Sequence, residues 1–421
     1  MKKQIKTLIK NYRLIIFLLV ILFFFVLLSF EFLLGSYAIG IRTLKIPIYP
    51  IPNFADLKIL LCGIESMNKG IDPYGIVECW DQQSFNYPKT WKIFTIFPFL
   101  TSKNHITIGI LIFFIFYIIT LLFIEKLNFR LFVYYLIVLF SPSILLGLDR
   151  ANSDLIIFIF LTIGLVFTSN KYLFHGLILF CSILKLYPIG AISFILNERK
   201  NNSVIILMIS ITAFAFYLYF FRENLEMVSM RTPRPYTYYS FGLQVLPENL
   251  IQNFKLNRSQ TFLFYYIILA IITLVYWKKN KRKYFLNPNL KKDKFTNGYL
   301  VGSGIFIVSC IIGYNYEYRL IFLILTIPKL IQWSRTNKYY VHILVINLLV
   351  FWQSGINQLI LHFFSSEIYL LLSQLLIIYL FIFHLVINFK MLFDFMNFIF
   401  VNKFKIVPNK VYKKFGINKF V

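Results

Sequence analysis

Apolar residues run through this chain in long blocks. Stretches near the roughly 20 residues a helix needs to cross a bilayer occur at 14–34, 105–124, 131–148, 153–168, 203–221, 260–277, 298–313, 318–333, 339–356 and 368–390. Short polar turns separate most of them, and two long loops, 36–104 and 222–259, separate the rest. An eleventh stretch, 172–196, is interrupted by Lys185, Tyr187 and Pro188. Apolar on every face, such runs belong in lipid or in the middle of a bundle. The pattern predicts an all-α polytopic membrane protein of about ten full spans plus one broken pair. It reads as a single integral membrane domain over 1–400, followed by a basic tail at 401–421. The first run exceeds the apolar core of a cleaved signal peptide, and no small-residue cleavage pattern follows it.

Composition agrees: of 421 residues, 59% are hydrophobic and 14% are charged, where soluble domains carry nearly twice that charge. The net charge of +26, from 43 Lys+Arg and 17 Asp+Glu, raises the possibility of a nucleic-acid partner. The positions of the charges exclude it. If Lys2, Lys3, Lys6, Lys10 and Arg13 are cytoplasmic and each run crosses once, the cluster from Lys278 to Lys294 also falls inside. So do the tail from Lys403 to Lys419 and the loops 125–130, 169–171, 197–202 and 334–338, while nearly all acidic residues fall outside. This is the positive-inside distribution, with both termini cytoplasmic. Abundant Ile, Lys, Asn and Phe point to an AT-rich genome, and a bacterial inner membrane is the expected location.

Parity then constrains 172–196. The loops on both sides of it lie inside, so the segment enters and returns without crossing. A proline removes a donor and disfavours helix before it, so the break falls at Tyr187-Pro188, with Lys185 near the turning point. Broken backbone at that depth is tolerated only where protein buries it or it lines a wet cavity. A cation there costs roughly 2.5–3.5 kcal/mol and calls for a partner or a function.

The first outside loop carries the candidate catalytic residue. Leu57, Leu60, Leu61, Ile64 and Met67 recur at helical spacing and predict an interfacial helix, with Asp56 at its apolar–polar border. Asp56 there is a candidate general base at the depth of a lipid phosphate. It also stands three residues after Asn53, the spacing of a helix cap. Asp72-Pro73-Tyr74-Gly75 reads as a turn first, with Asp72 and Tyr74 as secondary sugar contacts. Asp149-Arg150-Ala151-Asn152-Ser153-Asp154 is a short outside turn in which Asn152 can cap the next helix and Asp154 can complement its dipole. Asp149 and Arg150 have no such structural task.

Tyr314-Asn315-Tyr316-Glu317-Tyr318-Arg319 joins two spans at the outer face and suits an aromatic belt. Arg319, at a helix mouth, has the planar fork that grips phosphate. Arg231 and Arg234 are weaker candidates of the same kind. His105, His175, His342, His362 and His384 are scattered singly, with no metal-ligand spacing. Among four cysteines, Cys62 and Cys79 share an outside loop and could pair.

The order of these features resembles glycosyltransferase family 87 (DUF2029), within the GT-C superfamily of polytopic enzymes that use polyprenyl-phosphate sugars. The likeness rests on Asp56, Gly70-Ile71-Asp72-Pro73-Tyr74, Asn86-Tyr87-Pro88, Asp149 to Asp154, Leu184-Lys185-Leu186-Tyr187-Pro188 and Tyr314 to Arg319. Two departures stand out: Tyr87-Pro88-Lys89 where the family has Tyr-Pro-Pro, and Ala151-Asn152 where it often has Gly-Asn. The resemblance implies a metal-independent, inverting transfer at the extracytoplasmic face, with Asp56 as general base. A hexose, mannose among the candidates, would move from a polyprenyl-phosphate donor to a glycan or glycolipid acceptor. The lipid-linked sugar phosphate would be the co-substrate, with no other cofactor. The contacts to substrate would come from Asp72, Tyr74, Asp149, Arg150, Asn152, Lys185, Tyr187, Glu317 and Arg319. A transporter or flippase of lipid-linked saccharides, or a polymerase of them, is the alternative, since broken helices and a midmembrane cation also serve transport.

Overall fold

The computed structural model describes residues 12–26, 54–75, 85–124, 128–198, 202–232, 240–283, 293–360 and 366–404. The basic residues before 12, Asn53, Cys79, Arg234, residues 284–292 of the Lys278 to Lys294 cluster, His362 and the tail beyond 404 lie outside them. The helices are α1 (Tyr12–Val26), α2 (Ala55–Asn68), α3 (His105–Phe123), α4 (Phe129–Leu139), α5 (Pro142–Arg150), α6 (Ser153–Phe167), α7 (Lys171–Leu184) and α8 (Asn202–Phe220). They continue as α9 (Arg222–Arg231), α10 (Val245–Phe254), α11 (Arg258–Lys283), α12 (Lys294–Ile312), α13 (Ile327–Ser334), α14 (Tyr339–Phe351), α15 (Gln353–Ile360) and α16 (Ser366–Phe404). Tighter 3-10 stretches cover Lys89–Ile96, Tyr187–Asn197 and Glu317–Thr326. Among the described residues the only strands are β1 (Ser240–Phe241) and β2 (Asn315–Tyr316), which pair antiparallel with Ser240 opposite Tyr316.

The chain is therefore all-helical, without a sheet core among the described residues. Among the described residues, five segments are long and apolar enough to cross a membrane: Ser102–Phe123, Asn202–Phe220, Arg258–Lys278, Lys294–Ile312 and Leu370–Asn397. The pair α4–α5, bent by 53°, makes a sixth if counted as one span. Other runs expected to cross form shorter helices. The 15 residues of α6 rise only about 22 Å, below the ~30 Å hydrocarbon core. The run 318–333 is divided between the Glu317–Thr326 stretch and α13, which has Pro328 in its first turn. Apolarity alone does not separate a span from a helix buried in a bundle.

The centre of the molecule is α12, with 72% of its apolar window buried inside the protein. It lies against both the Tyr187–Asn197 and Glu317–Thr326 stretches. Gly304 of α12 meets Gly190 so closely that a Cβ on either would overlap the other's carbonyl oxygen. Small residues allow this backbone approach, which is how helices associate where no water drives them together.

The break expected in 172–196 lies between Leu184 and Tyr187. The carbonyls left open there are satisfied by side chains from elsewhere. The Ile183 carbonyl accepts from Thr90 Oγ1 at 2.7 Å and Tyr217 Oη at 2.9 Å, and the Leu184 carbonyl accepts from Trp91 Nε1 at 3.1 Å. These donors let the chain leave helical geometry without orphaned backbone groups, and they hold Lys185 at the turn.

The first-loop helix forms as α2, but it is enclosed rather than laid on a surface. Its apolar stripe is buried, and so are Asp56, Ile59, Cys62, Gly63 and Ser66 on the other faces. The ring of Phe85 fills the space above Gly63, and Glu65 accepts from the Ser102 N–H at 2.8 Å and its hydroxyl at 3.0 Å. Nor does Asp56 serve as a cap. The N-cap is Phe54, left-handed at φ 58° with no side-chain cap bond. Its N–H donates instead to the Asp149 carbonyl at 2.9 Å, joining the start of α2 to the end of α5. Cys62 is disulfide-bonded, while Cys181 and Cys310 are free and buried.

Candidate functional site

Where α2 begins and α5 ends, Asp56 receives three donors. Arg150 approaches through Nε at 3.0 Å to Oδ2 and through Nη2 to Oδ1, a bidentate fork, and Asn152 Nδ2 donates to the same Oδ2. Such charge-assisted, paired bonds are the strong ones. The turn that places these residues is tight. Ala151 closes α5 in the left-handed region at φ 42°, and Asn152 then caps α6, its Oδ1 accepting from the Asp154 N–H at 2.9 Å. The glycine that the resemblance expects at 151 would adopt that conformation freely; alanine adopts it at a cost.

A second carboxylate stands in the first turn of α6. Asp154 is buried, and Lys185 Nζ and Tyr187 Oη both donate to its Oδ1. Arg319 Nε donates to Oδ2 at 3.2 Å, and the Arg319 guanidinium lies 4.8 Å from the Tyr187 ring centre. Asn315 orients that guanidinium. Its amide is fixed by the carbonyls of Ser309 at 2.6 Å and Gly313 at 2.8 Å, which turns its Oδ1 toward Arg319 Nη1. The β1–β2 ladder holds Asn315 in place.

Asn152 joins the halves. Its Nδ2 donates to Asp56, while its Oδ1 also accepts from Lys185 Nζ at 3.2 Å. The result is one chain of polar contacts: Arg150–Asp56–Asn152–Lys185–Asp154–Arg319–Asn315. Three cations share two carboxylates, and Lys185 also lies 5.5 Å from the Tyr87 ring centre. A buried charge persists only with partners, and here each acid has more than one.

Six of the expected residues thus meet in this network: Asp56, Arg150, Asn152, Lys185, Tyr187 and Arg319. Asp149 borders it, with its carbonyl on Phe54 and its charge within reach of Asp56 and Arg150. Asp72 and Tyr74 stand to one side. Asp72 forms the expected turn, its carbonyl accepting from the Gly75 N–H at 3.0 Å. Its carboxylate meets Lys89 Nζ at 3.0 Å and remains largely exposed, and the Lys89 hydrogen bond holds it below the usual carboxylate range. Tyr74 is buried, donating to the Tyr87 carbonyl at 2.9 Å; burial pushes its hydroxyl up to about 12, so it stays neutral. Glu317 points away from the network. It is fully buried, with Oε2 accepting from Ser143 Oγ at 3.0 Å near the start of α5, the end opposite Arg150.

Sequence reading missed Asp154 and Asn315 as members. By local rules Asp154 reads as a dipole-complementing residue, and Asn315 as part of an aromatic belt. The available signal is Lys185: a lysine in an apolar stretch requires a carboxylate, but sequence distance does not choose it, because the nearer acid, Glu198, pairs with Lys171 instead. Among the described residues, no group of three His, Cys, Asp or Glu side chains could hold a metal ion. Comparisons with protein-family models, curated proteins and solved structures find no match to this chain.

Proposed function

We propose that this network binds the phosphate of a lipid-linked saccharide and that the chain is a membrane glycosyltransferase. It moves a hexose, mannose among the candidates, from a polyprenyl-phosphate donor to an extracytoplasmic glycan or glycolipid acceptor, with inversion. The shorter apolar helices complete the ten-span, GT-C-like topology in a bacterial inner membrane, with both termini cytoplasmic.

One observation carries the reading: the network is layered. The side chains of Arg150, Lys185 and Arg319 are 21, 11 and 18% exposed, whereas those of Asp56 and Asp154 are 8 and 2% exposed. An approaching anion meets cations first, with the acids behind them. Two of those cations are planar forks suited to phosphate oxygens. Fixed donors in a site shielded from water stabilise charge developing on a leaving group far better than donors in water do. The acceptor hydroxyl must also lose a proton, and a positioned carboxylate typically supplies about 10²–10⁴-fold for that. Asp56, to which the resemblance gives this role, and Asp149 are the carboxylates at hand.

The test is transfer by the full chain in proteoliposomes, with polyprenyl-phosphate mannose as donor, held subsaturating, and membrane glycolipid as acceptor. Asp56→Asn should cut transfer sharply while expression stays intact, since it removes either the base or the anchor of Arg150. Unchanged turnover ends the assignment. The second reading, a transporter or flippase, is favoured by the break that exposes Lys185 at a turn within an apolar stretch. Movement of the lipid-linked saccharide without any sugar-transfer product would select it, and chain-length growth of the product would select the polymerase.

A further inference from the structure

Two aspartates lie side by side at the network, and their surroundings differ. The Phe54 N–H bonded to the Asp149 carbonyl sets Asp56, two residues on, next to the end of α5, where the two carboxylate charges interact. Asp56 is closed. Both its oxygens are taken by the Arg150 fork and the Asn152 amide, and its side chain is 8% exposed. To accept a proton it would have to give up one of those donors and strand a half-buried guanidinium, a costly exchange. Asp149 is open. It is only partly buried, and no described residue donates a hydrogen bond or forms an ion pair with its carboxylate. The described cation beside it, Arg150, is committed to Asp56. Asp149 also lies in the last turn of α5, where the helix dipole disfavours negative charge. A pair of carboxylates held in unlike environments divides acid–base from electrostatic work.

We infer that, within the transfer reaction proposed above, Asp149 is the carboxylate that takes the acceptor's proton, and that Asp56 is a positioning residue for Arg150 and Asn152. The acceptor hydroxyl gives its proton to an Asp149 carboxylate oxygen as its own oxygen bonds to the anomeric carbon of the hexose. The bond from that carbon to the donor phosphate oxygen breaks, and the electron pair leaves with the polyprenyl phosphate. Its added negative charge is met by Arg150, Lys185 and Arg319. The reaction needs no further reactant.

The experiment compares Asp149→Asn, Asp149→Ala, Asp56→Asn and Asp56→Ala in the proteoliposome assay, with polyprenyl-phosphate mannose as donor. Asp149→Asn should lower kcat by about 100-fold or more while donor KM stays within about threefold of wild type. Added formate, a diffusible carboxylate, should restore turnover of Asp149→Ala by at least about tenfold and leave Asp56→Ala unrescued. Asp56→Asn should instead raise donor KM, because the cations lose their anchor. An Asp149→Asn enzyme within about threefold of wild-type kcat overturns the inference, as does formate rescue confined to Asp56→Ala. Should Asp149→Ala fail to fold, kcat of the near-isosteric Asp149→Asn decides alone. Failure of the underlying reading looks different: the wild-type chain then transfers no sugar at all, whatever residue 149 is.

Discussion

Two buried ion-pair regions in this chain are built to different ends. At one, Lys329 of α13 meets Asp293 Oδ2 at 3.3 Å, and Asp293 separately caps α12, its Oδ1 accepting from the Thr296 N–H at 2.7 Å and hydroxyl at 2.9 Å. The described pair joins one cation to one acid; the lysine is 2% exposed and the acid 33%. The cation is inside and the anion faces out. At the other, around Asp154, the order is reversed: the acids are innermost, three cations surround them, and the cations hold the exposed edges. A balanced pair with its cation withdrawn closes a helix end. A surplus of cations presented outward leaves donors for an anion that is not part of the chain. Burial of charge alone does not separate the two regions; the layering does, and it is what the proposed phosphate site rests on.

The sharpest way to break this comparison is Asp154→Ala. It strands Lys185 and Arg319 together, and removing one partner of a buried pair costs about 3–5 kcal/mol. Thermal unfolding in detergent should show the largest loss of any site variant, and an unchanged midpoint would mean that the network is not an integrated unit. Lys329→Met is the counterpart. Asp293 keeps its capping bonds and its exposed side, so the loss should be about 1 kcal/mol or less, as for a single net hydrogen bond. Donor affinity should not change; if it did, the two regions would not be separate. The smallest effect belongs to Asp72, at the rim. Its folded pKa is depressed by Lys89, so the pair's contribution is present above the unfolded pKa and is lost as pH falls through the folded one. With the carboxylate 60% exposed, screening keeps the contribution under about 1 kcal/mol. Asp72→Asn should make the unfolding midpoint slightly less pH-dependent below about pH 4 and leave turnover intact.

Much of the site could be read from local sequence because local rules fix it. The cap of α6 by Asn152 and the turn at Asp72 both follow from side chains that bond to backbone two residues away. The break before Pro188 follows from proline's missing donor. Even the need of Lys185 for company follows from the cost of a cation among apolar residues. What these rules omit is the partner. Arg150 lies 94 positions from Asp56, and Arg319 lies 165 from Asp154. No periodicity carries information over such distances, and the same Asp154 serves equally well as a helix-dipole residue until two cations are brought to it.

The helices tell the same story. α11 and α12 are comparably apolar as sequence, yet 6% of one window and 72% of the other is buried inside the protein. Hydropathy measures transfer out of water, and lipid and protein interior are alike in that respect. Sequence by itself determined that this chain is helical and apolar, where the 172–196 stretch breaks, and which charged residues need an explanation. The tertiary structure alone decided which helix becomes the centre, that α2 is enclosed rather than laid on a surface, that Glu317 turns away, and that Asp56 is clasped while Asp149 is left open. Those outcomes depend on contacts between distant segments, and a contact exists only once the whole chain has packed.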